Sequence, residues 1–125
     1  AGDAIIEYNN GIIFIERKFP PYGYALPGGL KKNDESIEDA VRREAKEETN
    51  LSLQSIQLLG VYSKPGRDPR GPVTSVVFYG KGFGEIKAMD DAKKVIVVNP
   101  EAIDSYELAF DHEDIVRDYI RKTAN

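Results

Sequence analysis

The chain has 125 residues and a formal net charge of −4, enough length for one core and so one domain over 1–125, and an acidic balance that argues against a nucleic-acid-binding surface. Apolar residues make up 41% and charged residues 30%, which is globular rather than disordered, and no apolar run nears the roughly 18 to 20 residues of a membrane span. Cysteine is absent and His112 is the one histidine, so disulfides, cysteine nucleophiles and thiolate or imidazole zinc sites are excluded; any metal must be held by oxygen.

Residues 4–8 and 12–16 are β-branched apolar runs around Asn9-Asn10-Gly11, a turn cluster that tolerates positive φ, and read as a hairpin. Residues 18–29 are rich in Pro, Gly and Tyr and predict a loop with at most a short strand at 24–26. Ser36 with Asp39 three residues on is a helix-capping pattern, and Ile37, Ala40, Val41 and Ala45 follow at helical spacing, so a helix is expected over 36–49 with Asn50 as its left-handed stop. Strands are expected at 53–62 and 74–80 around the polar loop 63–72, and at 95–98. Asp111 and Asp114 should open a final helix with an apolar stripe of Ile115, Val116, Tyr119 and Ile120. Strands on both sides of one helix and a second helix at the end imply an α/β (α+β) fold with a mixed sheet between helices. The sequence starts at Ala1 and its only methionine is Met89, which suggests a trimmed start and an incomplete first strand; no basic leader with an apolar stretch follows, so the cytoplasm is the expected location and no membrane partner is expected.

The first predicted helix departs from its own pattern. Its inward stripe continues into Glu44 and Glu48, and at about 100° per residue Glu47 lies roughly 60° to one side of Glu44 and Glu48 roughly 40° to the other. Three carboxylates therefore share one arc, two of them in the last turn, where the helix dipole disfavours acids. Such crowding asks for a positive partner, and a hard divalent cation such as Mg²⁺ or Mn²⁺ takes oxygen ligands of this kind. The other reading is a solvated acidic face paired with Arg42, Arg43 and Lys46.

Gly29, Glu35, Arg43-Glu44-Ala45, Glu47-Glu48, Thr49, Asn50 and Leu51, at their spacing over 23 positions, resemble the Nudix box. Asn50 stands where that pattern has its last glycine, and Asn is the non-glycine residue that enters left-handed backbone most easily. The resemblance implies a Nudix-type α/β/α sandwich and a Mg²⁺-dependent hydrolase of nucleoside diphosphate derivatives, with Mn²⁺ as a substitute ion. It implies Glu44, Glu47 and Glu48 as metal ligands, with the Gly28 carbonyl as a candidate fourth. Glu35 would support the cluster and Arg43 would orient a box glutamate. Water attacks phosphorus in this reaction and one carboxylate takes its proton. Glu47 is the candidate base within the box; outside it, Asp90 and Asp91 on the charged stretch 84–94 are candidates, Asp91 foremost, unless they are simple turn residues.

Val61-Tyr62-Ser63, Arg67-Asp68-Pro69-Arg70-Gly71, Val76-Val77-Phe78, Asp90-Asp91-Ala92 and the run from Leu108 to His112 resemble the ADP-ribose pyrophosphatase branch, as does a proline such as Pro65 or Pro69 beyond the box. The substrate implied is ADP-ribose, cleaved to AMP and ribose 5-phosphate. Arg67 and Arg70 offer planar forks for phosphate, or else solubilise a turn beside Asp68. Phe19, Tyr22 and Tyr24 can stack on an adenine, or simply pack their loop. His112 is expected to support the helix start rather than to catalyse. The alternatives are a house-cleaning pyrophosphatase of oxidised nucleoside triphosphates and a non-catalytic ADP-ribose sensor. The complete set of box acids and the lack of a helix-turn-helix pattern in these residues oppose the sensor. Many members of the family dimerise, which makes a homodimer a candidate state.

Overall fold

The computed structural model describes residues 1–89 and 92–124. Strands β1 (Gly2–Tyr8) and β2 (Gly11–Arg17) flank Asn9 and Asn10, whose φ values of 48° and 65° match the right-handed twist of a tight hairpin. The two strands pair at Glu7 with Ile12 and Tyr8 with Gly11, then part. Parting strands expose backbone groups that need partners. Two short strands supply them: β3 (Tyr24–Ala25) pairs with Ile15 and Glu16 of β2, while β4 (Gly28–Gly29) pairs with Gly2 and Asp3 of β1. The segment expected to be a loop is thus a wedge in the sheet, and β4 is an addition to the sequence reading, since two glycines carry no period to read.

Helix α1 (Ile37–Thr49) starts as expected: Ser36 is extended and its Oγ accepts from the Asp39 N–H at 3.1 Å. It stops at Asn50, in the left-handed region at φ 69°, whose N–H donates to the Lys46 carbonyl at 3.0 Å. Strand β5 (Ser52–Tyr62) runs antiparallel to β6 (Ser75–Phe83), which lies parallel to β1. Strand β7 (Ala92–Val98) pairs with β2 and starts earlier than the apolar run at 95–98. A 3₁₀ turn (Pro100–Ser105), absent from the sequence reading, leads to helix α2 (His112–Thr123). Asp111 occupies the position before α2 but makes no side-chain cap; its carboxylate is taken by Arg67.

The mixed sheet has the order β3-β2-β1-β6-β5, with β4 on β1 and β7 on β2. Its two faces follow the two-residue period of a strand. Ala4 and Ile6 join Val41 and Ala45 of α1 in one core, and Ile5 joins Ile115 and Val116 of α2 in the other. Each fully buried Val or Ile side chain among them contributes about 1.5–3 kcal/mol. The expected α/β/α sandwich follows, and its consequence for the site is geometric: the splay of β1 from β2 brings Gly28 and Gly29 beside Asp3, under the carboxylate face of α1. No helix among the described residues is long and apolar enough to cross a membrane.

Candidate active site

The carboxylates of α1 lie where the helical period places them, but in two different environments. Glu48 is buried at 8% exposure, and its Oε1 accepts from the Gly28 N–H at 2.8 Å. Burial, reinforced by the negative charges of Glu44 and Asp3, pushes its carboxyl up to about 8 against the pull of that hydrogen bond. Glu44 and Glu47 lie nearer the surface and share one guanidinium. Arg43 Nη1 donates to Glu44 Oε1 at 2.7 Å and to Glu47 Oε1 at 3.0 Å. Its Nε and Nη2 grip both oxygens of Glu35 at 3.0 and 2.7 Å, and Nη2 also donates to the Leu30 carbonyl at 3.1 Å. These bonds to Arg43, followed by one from the Lys32 N–H, hold the Glu35 carboxyl down at about 2, and the Arg43 guanidinium is raised above its usual range. The other basic residues of the helix stay apart: Arg42 pairs with Asp39, and Lys46 donates to the Asn50 carbonyl.

Two adjoining pockets open beside Glu48. One, of about 130 Å³, is bordered by Asp3, Gly28, Glu48, Arg17, Arg70 and Phe110, with Arg67, Asp68 and His112 also in its wall. The other, of about 260 Å³, adds Glu44, Lys18 and Phe19. Asp3 is buried and accepts from the Ser75 hydroxyl. His112 is buried too; its Nδ1 accepts from the Leu26 N–H at 3.0 Å, which leaves the ring proton of the neutral form on Nε2. Burial, with the positive charges of Arg67 and Arg17, holds its pKa below the usual histidine value.

The residues expected to meet the substrate divide. Arg70 and Phe19 line the pockets. Arg67 is in the wall at 5% side-chain exposure, but its guanidinium is committed: Nε and Nη2 bond both oxygens of Asp111 at 2.9 and 2.7 Å, and Nη1 donates to the Val73 carbonyl at 3.1 Å. Tyr22 is 63% exposed and borders neither pocket. Tyr24 packs edge-on against Tyr106 at 5.4 Å in the α2-side core. The aromatic ring that does border the cavity is Phe110. Asp91 and its neighbour Asp90 lie outside the described residues.

Sequence reasoning missed Asp3, Arg17 and Phe110. Asp3 left a signal, an acid directly before the apolar run of β1, whereas Arg17 and Phe110 reach the cavity through the wedge and the turn before α2.

A family model described as the NUDIX domain matches residues 2–119. The chain belongs to the Nudix family of hydrolases. It is 49% identical over 124 residues to an ADP-ribose pyrophosphatase of Methanocaldococcus jannaschii, covering 97% of this chain and 72% of that protein. Among solved structures it is similar to a MutT/nudix family protein from Enterococcus faecalis, with 30% identity, a TM-score of 0.85 and coverage of 97% of this chain and 60% of that one. It is also similar to a bifunctional NMN adenylyltransferase/ADP ribose pyrophosphatase from Francisella tularensis complexed with AMP and a Mn ion, with 29% identity and a TM-score of 0.84. That match covers 97% of this chain and 40% of the bifunctional protein.

Nudix hydrolases work with a divalent metal ion, and the residues of this domain fit one. The donors are all oxygens, as a hard cation requires. A Cβ on Gly29 would lie 2.7 Å from the Glu44 carboxylate carbon, and one on Gly28 would collide with Asp3, so the two glycines keep the space among these acids open. Crowding of Glu48 with Glu44 and Asp3 leaves a deficit of positive charge there. Among the described residues no three of the acids converge as a finished ligand set; Arg43 occupies Glu44 and Glu47 instead.

Proposed function

We propose that this Nudix domain, over residues 1–125, hydrolyses the pyrophosphate bond of ADP-ribose to AMP and ribose 5-phosphate with Mg²⁺, for which Mn²⁺ can substitute. The observation that carries the reading is the buried Glu48, set between the Glu44 side of the carboxylate face and a cavity bordered by Arg17 and Arg70. A site with acids on one wall and arginines on the other suits a metal-bound diphosphate better than a neutral or cationic ligand. The activity of the M. jannaschii relative supports ADP-ribose as the diphosphate in question.

Glu44, Glu47 and Glu48 would hold the metal, with Gly28 at its border. Bound there, Mg²⁺ would polarise the bridging phosphates and acidify a water. Arg43, anchored through both nitrogens of its fork on Glu35, fixes Glu44 and Glu47 so that they keep one orientation. Glu47, at 39% side-chain exposure, has the freest access to water of the three and is the proposed base within the box, with Asp91 as the alternative outside it. Arg70 would meet a phosphate, and Arg67 serves the site by holding Asp111 rather than by direct contact. We place the protein in the cytoplasm, and a homodimer is the state to look for first in solution.

The test is an assay with Mg²⁺ on ADP-ribose, NADH, dinucleoside polyphosphates and an oxidised nucleoside triphosphate, with products identified by chromatography. AMP and ribose 5-phosphate from ADP-ribose, at the highest kcat/KM of the panel, is the expected result. Preferential release of pyrophosphate from the triphosphate, or tight ADP-ribose binding without turnover, would overturn it.

A further inference from the structure

Asn50 does more than end α1. Its left-handed backbone, at φ 69°, would be met best by glycine, which has no Cβ to strain there and which the family pattern carries at this position. The asparagine side chain is therefore a burden to the backbone and needs a reason. Its Nδ2 donates to the Glu85 carbonyl at 2.9 Å, across 35 residues of chain. A carbonyl can only accept, so the nitrogen end of the amide must face it.

Glu85 belongs to a segment, 84–89, that lies along the C-terminal end of α1. The Lys87 N–H donates to the Thr49 carbonyl at 3.0 Å, and the Met89 N–H to the Glu48 carbonyl at 3.3 Å. The last carbonyls of a helix have no partner within it, so these two bonds complete the turn that carries Glu47 and Glu48. They also offset part of the negative helix end that the three carboxylates aggravate. The segment has further anchors: the Gly84 carbonyl accepts from the Tyr8 hydroxyl at 2.7 Å, and Ile86 packs on the α1-side core. The Asn50 amide fastens it at the residue where the helix stops.

We propose that Asn50 is a positioning residue for the reaction. Its amide holds the segment 84–89 on the last turn of α1. Through the Lys87 and Met89 N–H groups this keeps the backbone of Glu48 and Thr49, and with it the side chains of Glu47 and Glu48, in one orientation. The role rests on those acids serving the metal-dependent hydrolysis proposed above, whereas the tie itself does not. Were Asn50 only a helix stop, glycine would serve as well or better.

Asn50→Gly separates the two roles, because it suits the backbone and removes the tie. Asn50→Asp keeps the size and tolerates left-handed backbone but, ionised, has no hydrogen to donate. Hydrogen exchange followed by NMR in EDTA reads the tie without metal. The Lys87 and Met89 amides should exchange about fivefold or more faster in both variants, with the amides of β6 unchanged. Both variants should melt within a few degrees of wild type. With ADP-ribose and saturating Mg²⁺, kcat of Asn50→Gly should fall about fivefold or more and Mn²⁺ affinity about threefold or more. KM should change less than about twofold, since neither Asn50 nor the segment borders the pockets beside Glu48. Asn50→Gly with wild-type exchange, or with loosened amides but wild-type kcat and Mn²⁺ affinity, overturns the positioning role. Loosened amides and weakened Mn²⁺ binding in a protein that cleaves no diphosphate sink the hydrolase reading and keep the positioning of the acids. Wild-type turnover in a variant with wild-type exchange does the reverse.

Discussion

Replacing Glu48 with Gln should make the metal-free protein more stable while disabling it. Glutamine keeps the shape and the acceptor for the Gly28 N–H, and removes a charge that is buried beside Glu44 and Asp3. The folded-state pKa is raised, from 4.5 to about 8, so folding favours the protonated acid. The stability it confers is complete below about pH 4.5 and is lost as pH rises through 8. At roughly 1.4 kcal/mol for each pH unit between 4.5 and 7, the ceiling on that loss at pH 7 is about 3 kcal/mol. A chain of this size converts each kcal/mol into roughly 4 °C of melting temperature. Thermal melts in EDTA between about pH 5 and 8 should therefore show wild type losing stability and Glu48→Gln losing much less, the gap widening with pH. Mg²⁺ should close the gap by stabilising wild type, and turnover of the variant should fall roughly a hundredfold or more. Parallel stability profiles for the two proteins across this range would refute the burial of Glu48 beside Glu44 and Asp3 as a destabilising charge.

Three further outcomes follow from neighbouring contacts. Arg67→Ala strands the partly buried Asp111 and should cost roughly 3 kcal/mol in urea unfolding, with KM rising because Phe110 and His112 flank that aspartate. His112 has its folded pKa lowered below 6.5, so the stability tied to its neutral form is present above that value and is lost as pH falls through the folded pKa; His112→Asn should flatten this part of the acid limb in chemical denaturation. Gly29→Ala should cost about 1 kcal/mol or more, since its Cβ would press on a Glu44 carboxylate that Arg43 holds in place, and should raise several-fold the Mg²⁺ concentration needed for half-maximal activity.

Local chemistry was legible in the sequence. Asn9 and Asn10 announced the hairpin, Ser36 and Asn50 bounded α1, and helical spacing put Glu44, Glu47 and Glu48 on one arc. What spacing could not give was the division of those acids between a shared arginine and the partly buried amide of Gly28. That division depends on Gly28 arriving through a wedge between β1 and β2, a pairing between residues far apart in the chain. Tyr24 was chemically suited to stacking but is drawn into the core by Tyr106, while Phe110 reaches the cavity by a left-handed backbone that no local pattern foretells. Arg67 and Arg70 looked equivalent as neighbours on one loop; Asp111, 44 residues beyond Arg67, separates them.

The α1 carboxylates are either a metal site or an acidic face quenched by Arg43. Titration of Mn²⁺ followed by electron paramagnetic resonance measures that directly, on wild type, Glu44→Gln and Glu48→Gln. The proposed function predicts that wild type binds the ion and that each variant binds it at least about tenfold more weakly. Equal binding by all three proteins would contradict it.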